Sequence, residues 1–186
     1  MLFTADTHFG HGGALGLFRR PFPSVAAMDE ALVEAWNAAV TPGDTVWHVG
    51  DFAVRAKPER VEALLASLNG EKHLIAGNND GPATRGCGLW ASVRDYAEIE
   101  LDGRRLVLCH YPLRSWNGMA KGALNLHGHS HGRLAPTITR QFDVGVDVRD
   151  FRPVTLATLL AGRRQAAAAS GSRVNSSSGR RTPRSA

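Results

Sequence analysis

Cysteine is scarce, long apolar runs are missing, and no unit repeats along the chain. Each shortage removes a class of protein. Two cysteines, Cys87 and Cys109, in 186 residues do not make a disulfide framework, which excludes the small stapled folds. No stretch approaches the ~18 consecutive apolar residues of a membrane span, so no integral membrane protein is expected. The opening residues, Met1-Leu2-Phe3-Thr4-Ala5-Asp6, carry no basic n-region and no long apolar core, so no secretory signal is visible and a cytoplasmic location is expected. Acid is missing from one end. Residues 162–186 hold six arginines (163, 164, 173, 180, 181 and 184) and no Asp or Glu. Of the 22 Lys+Arg and 17 Asp+Glu, this leaves 16 basic against 17 acidic groups for residues 1–161, a net of −1. The basic character therefore belongs to the tail. Its Ser, Ala, Gly and Arg content predicts a disordered segment, one that could also dock on nucleic acid.

What is present fits one globular domain over residues 1–161. Hydrophobic residues make up 43% and charged residues 21%, ordinary globular usage that excludes wholesale disorder. Leu2–Ala5 reads as a short strand, followed by a Gly-rich stretch from Asp6 to Gly16. Ser24–Val40 reads as a helix with Ser24 as N-cap, because Val25, Met28, Leu32, Trp36 and Ala39 recur at three- and four-residue spacing. Pro42-Gly43-Asp44 turns the chain into a strand at Thr45–Val49. A second helix starts near Pro58, buries Val61, Leu64, Leu65 and Leu68, and ends at Gly70. Lys72–Ala76, Val93–Leu101, Arg105–Cys109, Leu124–Leu126 and Phe142–Val148 are strand-like, and Asp102-Gly103 is a hairpin signal. Alternation early and consecutive strands later predict an α/β fold with a mixed sheet or a pair of sheets.

The strands share a habit of ending in polar residues. Asp6 and His8 follow the first, Gly50-Asp51 the second, and Gly77-Asn78-Asn79-Asp80 the third; later strands deliver His110 and then His127, His129 and His131. In α/β architectures the carboxyl ends of strands are where ligands bind. Asp6, His8, Asp51, Asn78, His110, His129 and His131 are too many for a closed structural zinc site, which takes four ligands. They suit two adjacent divalent ions sharing a carboxylate. Mixed imidazole and oxygen ligands favour first-row metals, manganese first, with iron, zinc, cobalt or nickel as alternatives. Two such ions serve in-line displacement at phosphorus. His129 and His131, two apart, share a face in an extended segment.

Asp6-Thr7-His8, Gly50-Asp51, Gly77-Asn78-Asn79-Asp80, His110 and Gly128-His129-Ser130-His131 resemble, in order, the five motifs of the calcineurin-like metallophosphoesterases. Asp6-Thr7-His8-Phe9-Gly10-His11, His110-Tyr111-Pro112, and Val144-Gly145-Val146-Asp147-Val148 before Arg152-Pro153-Val154 look like a small bacterial and phage branch. The resemblance spans residues 1–161. It implies two facing mixed sheets flanked by helices, a four-layer α/β/β/α sandwich. It implies that Asp6, His8 and His131 hold one metal, that Asn78, His110 and His129 hold the second, and that Asp51 bridges both. A hydroxide bridging the two metals would attack phosphorus. The chain departs from the family at Asn79, where a histidine usually protonates the leaving alkoxide. An amide has no titratable proton, so a preference for activated diesters over alkyl monoesters is expected. Asp80 would ordinarily orient the missing histidine, and here its role is open.

Several residues stand outside that set. His11, near the first motif, could reach substrate or stand in as proton donor. Arg114 lies four residues past His110, in a loop expected to overhang the metals, and a guanidinium there could clamp phosphate; Asn117 is the weaker candidate from the same loop. His127 reads as a last strand residue, His48 as structural, Cys109 as a small core residue, and Trp36 and Trp47 as core. The substrate expected is a small-molecule or nucleotide phosphoester. The alternatives are a nuclease tethered by its arginine tail, and a non-catalytic scaffold of the same fold.

Overall fold

A computed structural model of the chain describes residues 1–135 and 138–162. The arginine-rich stretch beyond 162 lies outside the described residues. Met1–Val154 forms one compact unit, and a second begins at Thr155. In the second unit the described residues are helical from 156, where the Thr155 hydroxyl accepts the Thr158 N–H at 3.2 Å. Among the described residues no helix is long and apolar enough to cross a membrane.

The first unit carries two four-stranded sheets. One is built from β1 (Leu2–Thr4), β2 (Thr45–His48), β3 (Glu71–Ile75) and β4 (Ser92–Arg94), in that order and all parallel. Its outer edge gains an antiparallel bridge between Phe3 and Val154. The other contains β5 (Tyr96–Leu101), β6 (Arg104–Cys109), β7 (Leu124–His127) and β8 (Gln141–Asp143); β5 and β6 are antiparallel, the remaining pairs parallel. A parallel bridge between Ala5 and Gly145 ties the end of β1 to the chain leaving β8. This is the α/β arrangement expected, and it turns the ends of β1, β2, β3, β6 and β7 toward one polar region.

Flanking helices supply the apolar side of the first sheet. In α2 (Val25–Ala39), Met28, Leu32 and Trp36 are buried at helical spacing, and the Ser24 hydroxyl caps the helix by accepting the Ala27 N–H at 3.1 Å. In α3 (Pro58–Ser67), Val61, Leu64 and Leu65 are buried and Pro58 sits in the first turn. These side chains form one cluster with Leu2, Val46 and Leu74 from the strands. Gly70 then turns with φ +84, packed so closely that a Cβ would stand 2.8 Å from the Asp44 carbonyl oxygen.

The structure departs from the periodicity in three places. The strand-like run 93–101 is two strands, β4 and β5, which belong to different sheets and separate at Asp95; a period of two cannot show which sheet a strand joins. Residues 142–148 are not one strand, because β8 ends at Asp143 and Val146–Val148 is a 3-10 turn. The Gly-rich stretch contains a short helix, α1 (Gly12–Leu17), which glycine's poor helix propensity conceals. Another short helix, α4 (Pro82–Arg85), follows β3. The Asp102-Gly103 hairpin forms as expected, with φ of 51 and 69.

His48 is fully buried at the end of β2. The Thr7 hydroxyl donates to the Phe52 carbonyl at 2.8 Å and so accepts from His48 Nε2 at 2.9 Å, while His48 Nδ1 has no partner. Burial holds the imidazole neutral, its pKa down at about 3 from an ordinary 6.5. The unfolded chain takes up a proton near the ordinary value and the native chain does not. This contribution to stability is therefore full above that value and is lost as pH falls toward 3. Denaturant unfolding of His48→Gln from pH 7 to pH 4 should show a shallower acid loss of stability than the unaltered protein, and an equally steep loss would refute this role.

Candidate metal centre

Seven side chains predicted as ligands lie at the carboxyl ends of the strands. Asp6 and His8 leave β1, Asp51 follows β2, Asn78 follows β3, His110 follows β6, and His129 and His131 follow β7. Ligand atoms of Asp6, His8 and His131 lie within 4.8 Å of one another, as do those of Asp6, Asp51 and His110. Asp51 Oδ2 stands 3.5 Å from His8 Nε2 and also 3.5 Å from His110 Nε2. His110 Nε2 is 3.1 Å from Asn78 Oδ1. The His129 ring stands beside His110 with centroids 5.2 Å apart, and its backbone N–H donates to both Asp6 oxygens at 3.1 and 2.9 Å.

The backbone is forced into this shape. Asp6, His8, Asp51, His129 and His131 all have positive φ, between 47 and 65, a region that costs a non-glycine residue about 1–2 kcal/mol. Glycines make room beside them. A Cβ at Gly128 would stand 2.8 Å from Asp6 Oδ2, and one at Gly77 would overlap Asp51 Oδ1 and stand 2.5 Å from its backbone nitrogen.

Electrostatics separate the two carboxylates. Burial pushes Asp6 up to about 7, against the opposing fields of His131 and His110. Burial works on Asp51 too, but hydrogen bonding and charge from His110 and two bonds from Asn79 hold it below the usual carboxylate range. Burial also drops His8 to about 3, and its Nε2 has no hydrogen-bond partner. An orphaned imidazole nitrogen facing buried carboxylate oxygens, in a cradle kept open by glycine, is a donor set that fits a divalent cation.

The neighbouring residues divide by position. Asn79 lies on Asp51: its N–H donates to Oδ1 at 2.8 Å and its Nδ2 to Oδ2 at 2.7 Å. The Asp80 carboxylate turns to the backbone and accepts the N–H groups of Asp51, Phe52 and Gly77, each at 2.8 Å. His11 stacks on His8 at 5.3 Å between centroids, with the two Nδ1 atoms 3.3 Å apart. Arg114 stands exposed on the loop after His110. From the same loop Asn117 Nδ2 donates to Glu98 at 3.0 Å, away from the ligands. His127 ends β7 and donates from Nδ1 to the Gly128 carbonyl. Trp90 and Trp116 donate to backbone carbonyls of Thr84 and Ala123 and act as packing groups.

Sequence reasoning missed Arg20 and Asp147. Arg20 is buried and makes a two-pronged bond to Asp147 at 2.8 and 2.9 Å, and Asp147 Oδ2 accepts His131 Nδ1 at 2.7 Å. Asp147 stood within a recognised motif without a role. No local signal marks Arg20, because its partner is 127 residues away.

Comparison with known proteins agrees with this geometry. Residues 1–146 match the calcineurin-like phosphoesterase superfamily domain. An uncharacterized protein of Methanocaldococcus jannaschii is 31% identical over 159 residues, covering 82% of this chain and 84% of that protein. The Gene 66 protein of Mycobacterium phage D29 is 31% identical over 175 residues, covering 78% and 86%. A protein of unknown function from Aquifex aeolicus has a similar solved structure, with a TM-score of 0.69 at 25% identity, covering 83% of this chain and 94% of that one. The chain belongs to the calcineurin-like phosphoesterase superfamily, a metal-dependent family.

Because Gly77 leaves no room for a side chain, Gly77→Ala must displace Asp51. Isothermal titration with Mn²⁺ should show affinity lowered by about tenfold or more while the circular dichroism spectrum is unchanged; unchanged affinity would mean that Asp51 is not held by this contact.

Proposed function

We propose that the protein is a phosphodiesterase working with two divalent metal ions, manganese foremost, with iron, zinc, cobalt or nickel as alternatives. The observation that carries this reading is Asp51 Oδ2, equally distant at 3.5 Å from His8 and His110, one imidazole from each half of the site. Asp6, His8 and His131 would hold one ion, Asn78, His110 and His129 the other, and Asp51 both. Bound there, such ions supply Lewis acidity toward a phosphoryl oxygen and lower the pKa of water.

The chain's own groups do the rest. The Asn79 Nδ2 that now donates to Asp51 is within the site and is a donor for a phosphoryl oxygen, in the manner of an oxyanion-hole group. It has no proton to give a departing alkoxide. Burial, followed by the charges of Arg20 and Arg55, lowers the pKa of His11, so at neutral pH the imidazolium is not the stocked form and His11 is a poor substitute acid. Substrates whose leaving group departs without protonation are therefore favoured. Arg114, exposed on the loop after His110, is the candidate for a phosphate clamp. Asp80 fixes the loops that carry Asp51 and Asn79 without touching substrate.

Metal-stripped protein should hydrolyse bis(p-nitrophenyl) phosphate once Mn²⁺ is restored, act feebly on alkyl monoesters, and lose activity in Asp51→Asn. Asn79→His should raise turnover of an alkyl monoester by about tenfold or more with less effect on the activated diester. An alkyl monoester turned over as fast as the activated diester by the unaltered protein would overturn the preference.

The six arginines beyond residue 162 favour a second reading, a nucleic-acid substrate held electrostatically. Truncation after residue 161 should then lower affinity for an oligonucleotide and flatten its salt dependence, whereas a small-molecule diesterase keeps its activity.

A further inference from the structure

We infer that Phe18, Arg20 and Asp147 form a positioning clamp for one half of the metal centre, so that the Asp6–His8–His131 half is preorganised and holds its ion more tightly than the Asn78–His110–His129 half. This rests on the proposed metal-binding reading of those residues.

Arg20 has its whole side chain out of solvent and uses all five guanidinium N–H groups. Nε and Nη2 donate to the two oxygens of Asp147 at 2.8 and 2.9 Å. Nη2 also donates to the Asp6 carbonyl at 2.6 Å, and Nη1 donates to the Thr7 carbonyl at 2.7 Å and to Met28 Sδ at 3.5 Å. One rigid planar group therefore fixes the backbone from which Asp6 and His8 project, in the left-handed conformation both residues adopt. Through Asp147 the same group reaches across the fold. Asp147 Oδ2 accepts His131 Nδ1–H at 2.7 Å, which sets the tautomer and leaves Nε2 as the free donor atom. A carboxylate behind a ligand imidazole fixes its orientation. Phe18 completes the clamp by stacking on His131 with centroids 3.5 Å apart and an interplanar angle of 11°. Arg20 and Arg133 lie over Phe18 at 5.5 and 5.6 Å.

Among the described residues the other half has no equivalent. Behind His110 is a neutral carbonyl, that of Val49, at 2.9 Å from Nδ1. Asn78 and His129 are exposed, whereas Asp6 and His8 are buried. Among the described residues the ring of His129 meets the rings of Tyr111 and His110 edge-on, and its hydrogen bonds to Asp6 come from its backbone. A preorganised ligand set loses less freedom on binding than a loose one, so the two halves should differ in affinity and in order of filling.

The test is Mn²⁺ titration of the full metal-free chain by calorimetry, with His131 ring ¹⁵N shifts read by NMR in the absence of metal. The unaltered protein should show two steps at least about tenfold apart. Asp147→Asn, close in shape, should weaken the tighter step by about 10–100-fold, leave the weaker step in place, and free the His131 tautomer. Phe18→Leu is the second variant, should Asp147→Asn fail to fold, and should weaken the same step. Asn78→Ala should remove only the weaker step. Folded Asp147→Asn or Phe18→Leu protein with an unchanged tighter step would overturn the clamp while leaving the metal reading intact. Two equal steps in the unaltered protein would overturn the asymmetry. No Mn²⁺ binding by the unaltered protein would overturn both readings together.

Discussion

A carboxylate taken out of water needs either a cation or several N–H donors, and among the aspartates this protein buries are Asp6 and Asp51, at the ends of neighbouring strands β1 and β2. Their surroundings resolve the cost in opposite ways. Asp51 receives two hydrogen bonds from Asn79 and the charge of His110, and is held ionised. Asp6 receives one backbone N–H, shared between its oxygens, and burial raises it to about 7. Most of the conspicuous features nearby follow from keeping these groups together. Asp80 spends its carboxylate on three backbone N–H groups of the Gly50–Phe52 and Gly77 turns, and Arg20 spends its guanidinium on the carbonyls of Asp6 and Thr7.

The same demand explains why the strained backbone is concentrated here. Five candidate ligands in the left-handed region together represent several kcal/mol of unfavourable conformation by the usual per-residue cost. That is comparable to a large part of a domain's net stability. It persists because the apolar cluster around Trp36, Leu65 and Leu74 and the parallel pairing of β1, β2 and β3 over-determine where the turns begin. Fold and site thus share a boundary: the ladder ends, and the residues just beyond it take up conformations that no ladder would impose.

Much of this was legible in the sequence. The helices at Ser24 and Pro58 follow from caps and apolar spacing, and the polar residues closing successive strands mark the site before any geometry is known. These signals are local, carried by a few consecutive residues. What stayed hidden is non-local. The break at Asp95 sends β4 and β5 to different sheets, a choice that depends on which partner strands have open edges. Asp80 could be seen as a member of the motif, but its commitment to backbone N–H groups needs the approach of the Gly50–Phe52 turn. Arg20 and Asp147 lie on opposite sides of the chain's length, and each alone reads as an ordinary charged residue. Spacing rules also conceal α1, since a helix written Gly-Gly-Ala-Leu-Gly-Leu violates propensity and forms where it delivers Phe18 against His131.

Asn79 gives the departure from the family pattern a physical meaning. An imidazole at this position would change its charge near neutral pH and so alter the field at Asp51 as it titrated. The amide does not titrate. Its Nδ2 offers Asp51 a donor at 2.7 Å whatever the pH, and its backbone N–H holds the other oxygen. On the proposed reading the protein thereby gives up a proton source beside the leaving group and keeps a constant donor on Asp51, the carboxylate proposed to serve both halves. Under that proposal such an exchange is tolerable only for a reaction that does not need that proton, so the identity of one side chain would be tied to the chemistry of the leaving group.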